Sequence, residues 1–107
     1  SMYKFIFYVP KNDAEQVKEA VFATGAGKIG NYSHCAWETL GMGQFKPLDG
    51  ANPAIGSIGA VEHVEELRVE ILCLTEQVRS AVMAMKSAHP YEEVAYEIVS
   101  VRNHEFE

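Results

Sequence analysis

Two stretches of this chain change their apolar period in the same way, and that duplication limits what the chain can fold into. In YKFIFYV, Tyr3 to Val9, apolar side chains alternate: Phe5, Phe7 and Val9 would share one face of a strand, Lys4, Ile6 and Tyr8 the other. Pro10 ends the run, and Ala14, Val17, Val21 and Thr24 then recur at helical spacing. Asn12 or Asp13 can cap that helix, Glu15 suits the positive end of its dipole, and Gly25 and Gly27 stop it. The second stretch repeats the scheme. In ELRVEILCL, Glu66 to Leu74, the set Leu67, Val69, Ile71, Cys73 alternates with Arg68, Glu70, Leu72. Thr75 is placed to cap a helix whose stripe is Val78, Ala81, Val82, Met85 and Ala88. Pro90 cannot extend it and pushes His89 out of helical geometry.

Each strand–helix pair is followed or preceded by one more strand. Asn31 to Thr39 reads as the second strand, with Ser33, Cys35, Trp37 and Thr39 opposite Tyr32, His34, Ala36 and Glu38. Val94 to Val101 reads as the fourth. The order β-α-β-β-α-β predicts an α+β, ferredoxin-like sandwich: a four-stranded antiparallel sheet with two helices on one face. Residues 1–107 would form one such domain. Nothing covers the other face, where Ile6, Tyr8, Leu72 and Tyr96 are expected, so a second copy of the chain is the simplest partner.

Between the second and third strands lies GMGQFKPLDGANPAIGSIG, with five of the eight glycines and two of the four prolines. It reads as irregular, with a short hairpin around Gln44 to Leu48 and an ordered loop through Pro53, Ile55 and Ile58. A loop this long in a small domain belongs to a site or an interface.

Charge excludes one class of partner. The net charge of −6 does not suit a protein held by nucleic-acid phosphates. No stretch has the ~18 apolar residues of a membrane span. YKFIFYV lacks the flanks of a signal peptide, so the expected location is the cytoplasm. Ser1, ahead of Met2, resembles a residue left by tag removal. Cys35 and Cys73 form no CxxC pair and are expected to stay free and buried.

Three motifs invite a chemical reading. GAGKIG, Gly25 to Gly30, has backbone N–H groups that could cradle an anion, which makes Gly27, Lys28, Gly30 and Tyr32 candidate ligand-binding residues. Its glycines follow a helix and precede a strand, the reverse of a dinucleotide fingerprint, so a helix cap and turn is the plainer reading. His34 and Cys35 are metal-competent side chains, but neighbours on a strand point to opposite faces. SAHPYEEVAY, Ser87 to Tyr96, places His89, Tyr91, Glu92 and Glu93 at the joint between a helix and a strand. His89, Tyr91 and Glu92, with Phe45, are candidate ligand-binding residues, and a structural joint is the alternative. His63, amid Glu62, Glu65 and Glu66, and His104 near the terminus read as solvated. No catalytic residue can be assigned, no Ser/His/Asp set can be assembled, and no HExxH or Cys-rich zinc pattern is present.

The run GKIGNYSHCAWETLGMGQFKPLDGANPAIGSIG, the strand ELRVEILC and AHPYEEVAYEIV together resemble the YqfO-type domain. That domain is inserted into some Nif-three-like dinuclear-metal proteins and also exists alone. HPYE, His89 to Glu92, is similar to the corresponding joint of CutA-type proteins, trimeric ferredoxin-like domains related in shape to PII signalling proteins. The resemblance implies the same fold and self-association, with a trimer as the first guess. The family's dinuclear metal ligands belong to a separate α/β domain whose residues lie outside this sequence. The GTP cyclohydrolase-like label of the longer relatives therefore attaches to no residue here.

The expectation is a non-enzymatic homo-oligomeric module that binds a small ligand or protein partner and requires no cofactor. Its site would be lined by the Gly27–Tyr32 turn, the Phe45–Ile58 loop and the His89–Glu93 joint, with Trp37 and Phe45 as anchors toward a neighbouring subunit. The alternative, by analogy with the copper association of CutA-type proteins, is a divalent-metal protein using His34, Cys35, His89 and Glu92. A small hydrolase is a third and weaker alternative, since fold alone supplies no catalytic groups.

Overall fold

The computed structural model describes residues 1–107. Its regular elements are β1 (Met2–Pro10), α1 (Ala14–Phe22), β2 (Trp37–Phe45), β3 (Glu62–Leu74), α2 (Thr75–Ala88) and β4 (Tyr96–Val101). Short 3-10 turns at Lys11–Asp13 and Asn103–Phe106 complete the chain. The strands form one antiparallel sheet in the order β2-β3-β1-β4, as the β-α-β-β-α-β pattern requires.

The alternation in the sequence becomes the core. Phe5, Phe7 and Val9 from β1 and Val69, Ile71 and Cys73 from β3 are all buried. They meet Ala14, Val17 and Val21 of α1 and Ala81 and Met85 of α2. Val78, Val82, Ala88 and Val94 pack around this cluster, half-buried. Neither helix is capped as its sequence suggests. Asp13 precedes α1 without a side-chain capping bond, and Thr75 is the first residue of α2 rather than its cap. At α2 the Leu74 N–H donates to the Gln77 side chain at 2.9 Å, and the Gln77 amide donates to the Gly25 carbonyl at 3.0 Å.

Four strand boundaries move by two residues or more. The second strand runs from Trp37 to Phe45, not from Asn31 to Thr39. Gly30 and His34 both have φ near +60°, which an extended strand does not tolerate. Ile29 and Tyr32 instead close a tight turn, each N–H donating to the other's carbonyl. The glycine-rich Leu40–Phe45, read as irregular, is strand because it pairs with Leu67 through Glu62, and the hairpin around Gln44–Leu48 is absent. The same pairing extends β3 back to Glu62, four residues before the apolar alternation starts. The fourth strand begins at Tyr96, two residues later than Val94.

The uncovered sheet face differs from expectation as well. Tyr96 pairs with Phe7 and stands edge-on to Phe5 at 6.2 Å on the helix side, with the Lys86 ammonium over its ring. The open face mixes charged and apolar residues. Ile6 is only 3% exposed between Glu70 and Glu97. Lys4 pairs with Glu70 at 3.0 Å, Arg68 approaches the same carboxylate at 3.6 Å, and the Tyr8 hydroxyl donates to Glu97 at 2.9 Å. Beside these charges Leu72 and Val99 flank Lys4 in register and Trp37 pairs with Glu70, so Ile6, Tyr8 and Leu72 lie on the face expected of them and Tyr96 alone does not.

Apolar exposure continues along β2. β1 stops at Pro10 opposite Glu66, while β2 and β3 continue together to the pair Phe45–Glu62. This ribbon overhangs the helical layer and stretches the molecule to 49 × 23 × 23 Å. Along β2, Trp37 is 63% and Met42 65% exposed.

Candidate functional site

The joint after α2 is built by its proline. His89 has left helical geometry (φ −75°, ψ 140°), although its N–H still donates to the Met85 carbonyl at 2.9 Å. Its imidazole turns inward and is 7% exposed. Nε2 lies 2.7 Å from the Tyr8 carbonyl, which can only accept, so Nε2 carries the proton. The Tyr91 N–H donates to Nδ1 at 3.1 Å, so that nitrogen carries a lone pair. The bond at Nδ1 requires the neutral ring; the bond at Nε2 does not. Burial holds its pKa below the ordinary histidine value, against the opposing pull of the Tyr8 carbonyl, Glu66 and Asp13.

Tyr91 carries the order outward. Its ring lies 4.9 Å from that of His89 and meets Phe45 edge-on at 5.8 Å. Its hydroxyl donates to Glu66 Oε2 at 3.1 Å. Burial, then the Glu66 charge, pushes the phenol far above its ordinary range, so it remains a donor. The next residue ties down the long loop: the Asn52 N–H donates to Glu92 Oε2 at 2.8 Å.

These contacts enclose a cavity of about 1010 Å³ between the open sheet face and the segments after β2 and α2. Its floor is the row Tyr8, Arg68, Thr39 and the adjacent Glu66 and Gly41, paired in register. Phe45, Pro47, Leu48, Pro53 and Ile55 contribute apolar lining, and Tyr91, Glu92 and Glu93, which touch that segment through the Phe45–Tyr91 and Asn52–Glu92 contacts, contribute polar lining. Two glycines make the room. A Cβ on Gly43 would fall 2.0 Å from Glu66 Oε1, so the carboxylate lies flat where a side chain would stand. A Cβ on Gly41 would meet nothing within 4 Å.

The sequence candidates divide between two ends of the molecule. Phe45, Tyr91 and Glu92 line the cavity, and His89 stands behind its wall. Gly27, Lys28, Gly30 and Tyr32 do not join them. The Gly27 N–H donates to the Leu72 carbonyl, six residues and roughly 20 Å along β3 from Glu66. Gly27 is there because its φ is +79° and a Cβ would touch the Cys35 carbonyl and the Phe22 ring. His34 and Cys35 sit at that far end too. His34 packs on Phe22 at 4.7 Å, with Nε2 3.3 Å from Glu19, and the half-buried Cys35 thiol faces the Tyr32 and Ser33 carbonyls. The structure does not bring these two to His89 and Glu92, and it groups no three His, Cys, Asp or Glu side chains suitably for a metal ion. Glu66, Arg68, Gly41 and Gly43 were not legible as site residues. Only the GMG spacing, which clears one face of a strand, hints at them.

The geometry has relatives. No family model matches the chain. A GTP cyclohydrolase 1 type 2 homolog of Mycobacterium bovis is 50% identical over 98 residues, 92% of this chain and 26% of that protein. The solved Bacillus cereus protein related to NIF3 is 42% identical, covers 95% of this chain and 26% of its own, and superposes with a TM-score of 0.82. Over nearly its whole length the chain is similar to one segment of these NIF3-related proteins and spans about a quarter of their length. CutA from Archaeoglobus fulgidus, a periplasmic divalent cation tolerance protein, shares the fold at 12% identity, with a TM-score of 0.69 over 95% of this chain and 85% of its own. No helix of the chain is long and apolar enough to cross a membrane.

Proposed function

We propose that this chain is a non-catalytic, self-associating module of the YqfO type whose cavity binds a small ligand. The observation that carries the reading is the locked wall. Tyr91 stays a hydroxyl donor, Glu66 its acceptor, and both imidazole nitrogens of His89 are committed to backbone groups. Groups held in one protonation state suit recognition better than proton transfer. The mixed apolar and polar lining and the volume are those of a small-molecule site.

Self-association is supported by the ribbon. β2 is an edge strand, and its backbone is free along one side while Trp37, Leu40 and Met42 are exposed. A second copy that pairs along this edge covers both, and the CutA resemblance makes a trimer the first size to test. Light scattering after size exclusion should return a multimer at micromolar concentration; a strict monomer overturns this half of the proposal. Thermal shift tests the other half, since a ligand at 100 times its Kd adds about 2.7 kcal/mol.

A divalent metal is the competing reading, prompted by the CutA proteins. It would need His89 to surrender the Tyr8 or Tyr91 bond, or His34 to recruit ligands beyond Cys35. Copper and zinc titration of tag-free protein separates the two readings. The cyclohydrolase name belongs to relatives about four times longer, and no hydrolytic role is assigned to residues here.

A further inference from the structure

The cavity's polar groups are unequal, and their imbalance specifies a class of ligand. Four carboxylates line it, from Glu66, Glu70, Glu92 and Glu93, against the cations of Arg68 and Lys46. Glu70 is already served by Lys4 and Arg68, and Glu92 by the Asn52 N–H. Glu66 is different. Tyr91 donates to its Oε2, the carboxylate lies flat above Gly43, and Oε1 accepts no hydrogen bond from within the chain. Gly41, paired in register with Glu66, leaves open space on the same face, and Phe45 and Tyr91 also line the cavity.

Resting on the ligand-site reading above, we infer that the cavity takes an organic cation: an ammonium or amidinium group on a flat apolar body. The N–H donors of the cation meet Glu66 Oε1, with Glu93 adding negative potential. A charge-assisted hydrogen bond to a fixed carboxylate is among the stronger contacts a site can offer. The flat body fills the slot over Gly41 against the apolar wall of Phe45 and Pro47, where an aromatic ring buries its faces. An anion of the same shape meets the carboxylates head-on and is rejected by repulsion.

Three probes of one shape test this on the intact protein: phenethylamine, 2-phenylethanol and phenylacetate. Binding is followed by amide shifts of Gly41, Gly43 and Tyr91 in a nitrogen–proton correlation spectrum. Phenethylamine is expected to bind with Kd about 1 mM or tighter, and phenylacetate at least about tenfold more weakly. Glu66→Gln keeps the acceptor for Tyr91 and should weaken the amine about tenfold while leaving the alcohol unchanged. Gly41→Val fills the slot at a strand position with ordinary φ and should abolish binding of all three. Phenylacetate binding as well as the amine overturns the cation assignment and leaves the ligand cavity standing. Amine binding that survives Gly41→Val, or is indifferent to Glu66→Gln, overturns the site. Failure of all three probes on folded protein overturns both the inference and the cavity reading.

Discussion

The two ends of β3 are made from different materials. From Leu67 to Cys73 every second residue enters a core closed by both helices, and Val69, Ile71 and Cys73 have almost no exposure. From Glu62 to Glu65 the same strand has only β2 beside it, and the pair stands clear of the helices. A two-stranded ribbon in water is marginal by itself. This one is steadied at one side by the Phe45–Tyr91 and Tyr91–Glu66 contacts. The helical half owes its stability to burial; the ribbon half holds its shape through a few directional bonds around a hollow. Binding sites belong on the second kind of ground, because a packed core has no space to offer.

The sharpest way to break this contrast is one substitution in each half. Phe7→Ala empties the centre of the core and should cost about 3–5 kcal/mol, most of the stability of a domain this size. Met42→Glu, on the exposed ribbon, should leave the unfolding free energy of the subunit within about 0.5 kcal/mol. It should instead shift the light-scattering mass toward the single chain. Urea unfolding and scattering on both variants check the pair. If Met42→Glu unfolds the protein like Phe7→Ala, the ribbon is part of the fold rather than an interface.

Two glycines two residues apart sharpen the comparison. Gly43→Ala drives a methyl into the Glu66 carboxylate and must lift it from Tyr91. The loss should be about 1–2 kcal/mol, one hydrogen bond to a charged acceptor. Gly41→Ala meets open space, and replacing glycine in a strand should be neutral or stabilising by a few tenths of a kcal/mol. Thermal melts of the two variants should therefore move in different directions. Equal destabilisation would mean that the floor of the cavity is not as the register places it.

What was legible follows the same division. Phe5, Phe7, Val9, Val69, Ile71 and Cys73 announce their face by alternation, because a half-buried strand must separate apolar from polar residues. GMGQF and EHVE announce nothing, because neither face of the ribbon is buried in the chain and no alternation is needed. The part of the expected second strand before Trp37, residues 31–36, shows the converse: alternation over a polar, exposed stretch carries no force when Gly30 and His34 turn the backbone left-handed. Tyr91 was visible as part of a notable joint. Its partner Glu66 was not, since the two are 25 residues apart and only the fold joins them. The charged lattice over Ile6 escaped for a related reason. Lys4, the pair Arg68 and Glu70, and Glu97 are far apart in the sequence, and only β3-β1-β4 sets them side by side.

The gentlest test concerns proton uptake where the two halves meet. Unfolded, His89 titrates near 6.5; folded, burial holds it lower, because a second ring proton would have to displace the Tyr91 N–H from Nδ1. Between those two pKa values the unfolded chain binds more protons than the folded one, so stability falls as the pH drops below about 6.5 and is flat above it with respect to this group. A single proton limits the slope to about 1.4 kcal/mol per pH unit. His34, His63 and His104 are exposed. Unfolding free energies measured from pH 7.5 to 5 should show the decline in the native protein. His89→Gln, which can still donate to the Tyr8 carbonyl but takes up no proton, should remove it. A decline of equal slope in His89→Gln would assign the effect to other groups and leave His89 a spacer between helix and strand.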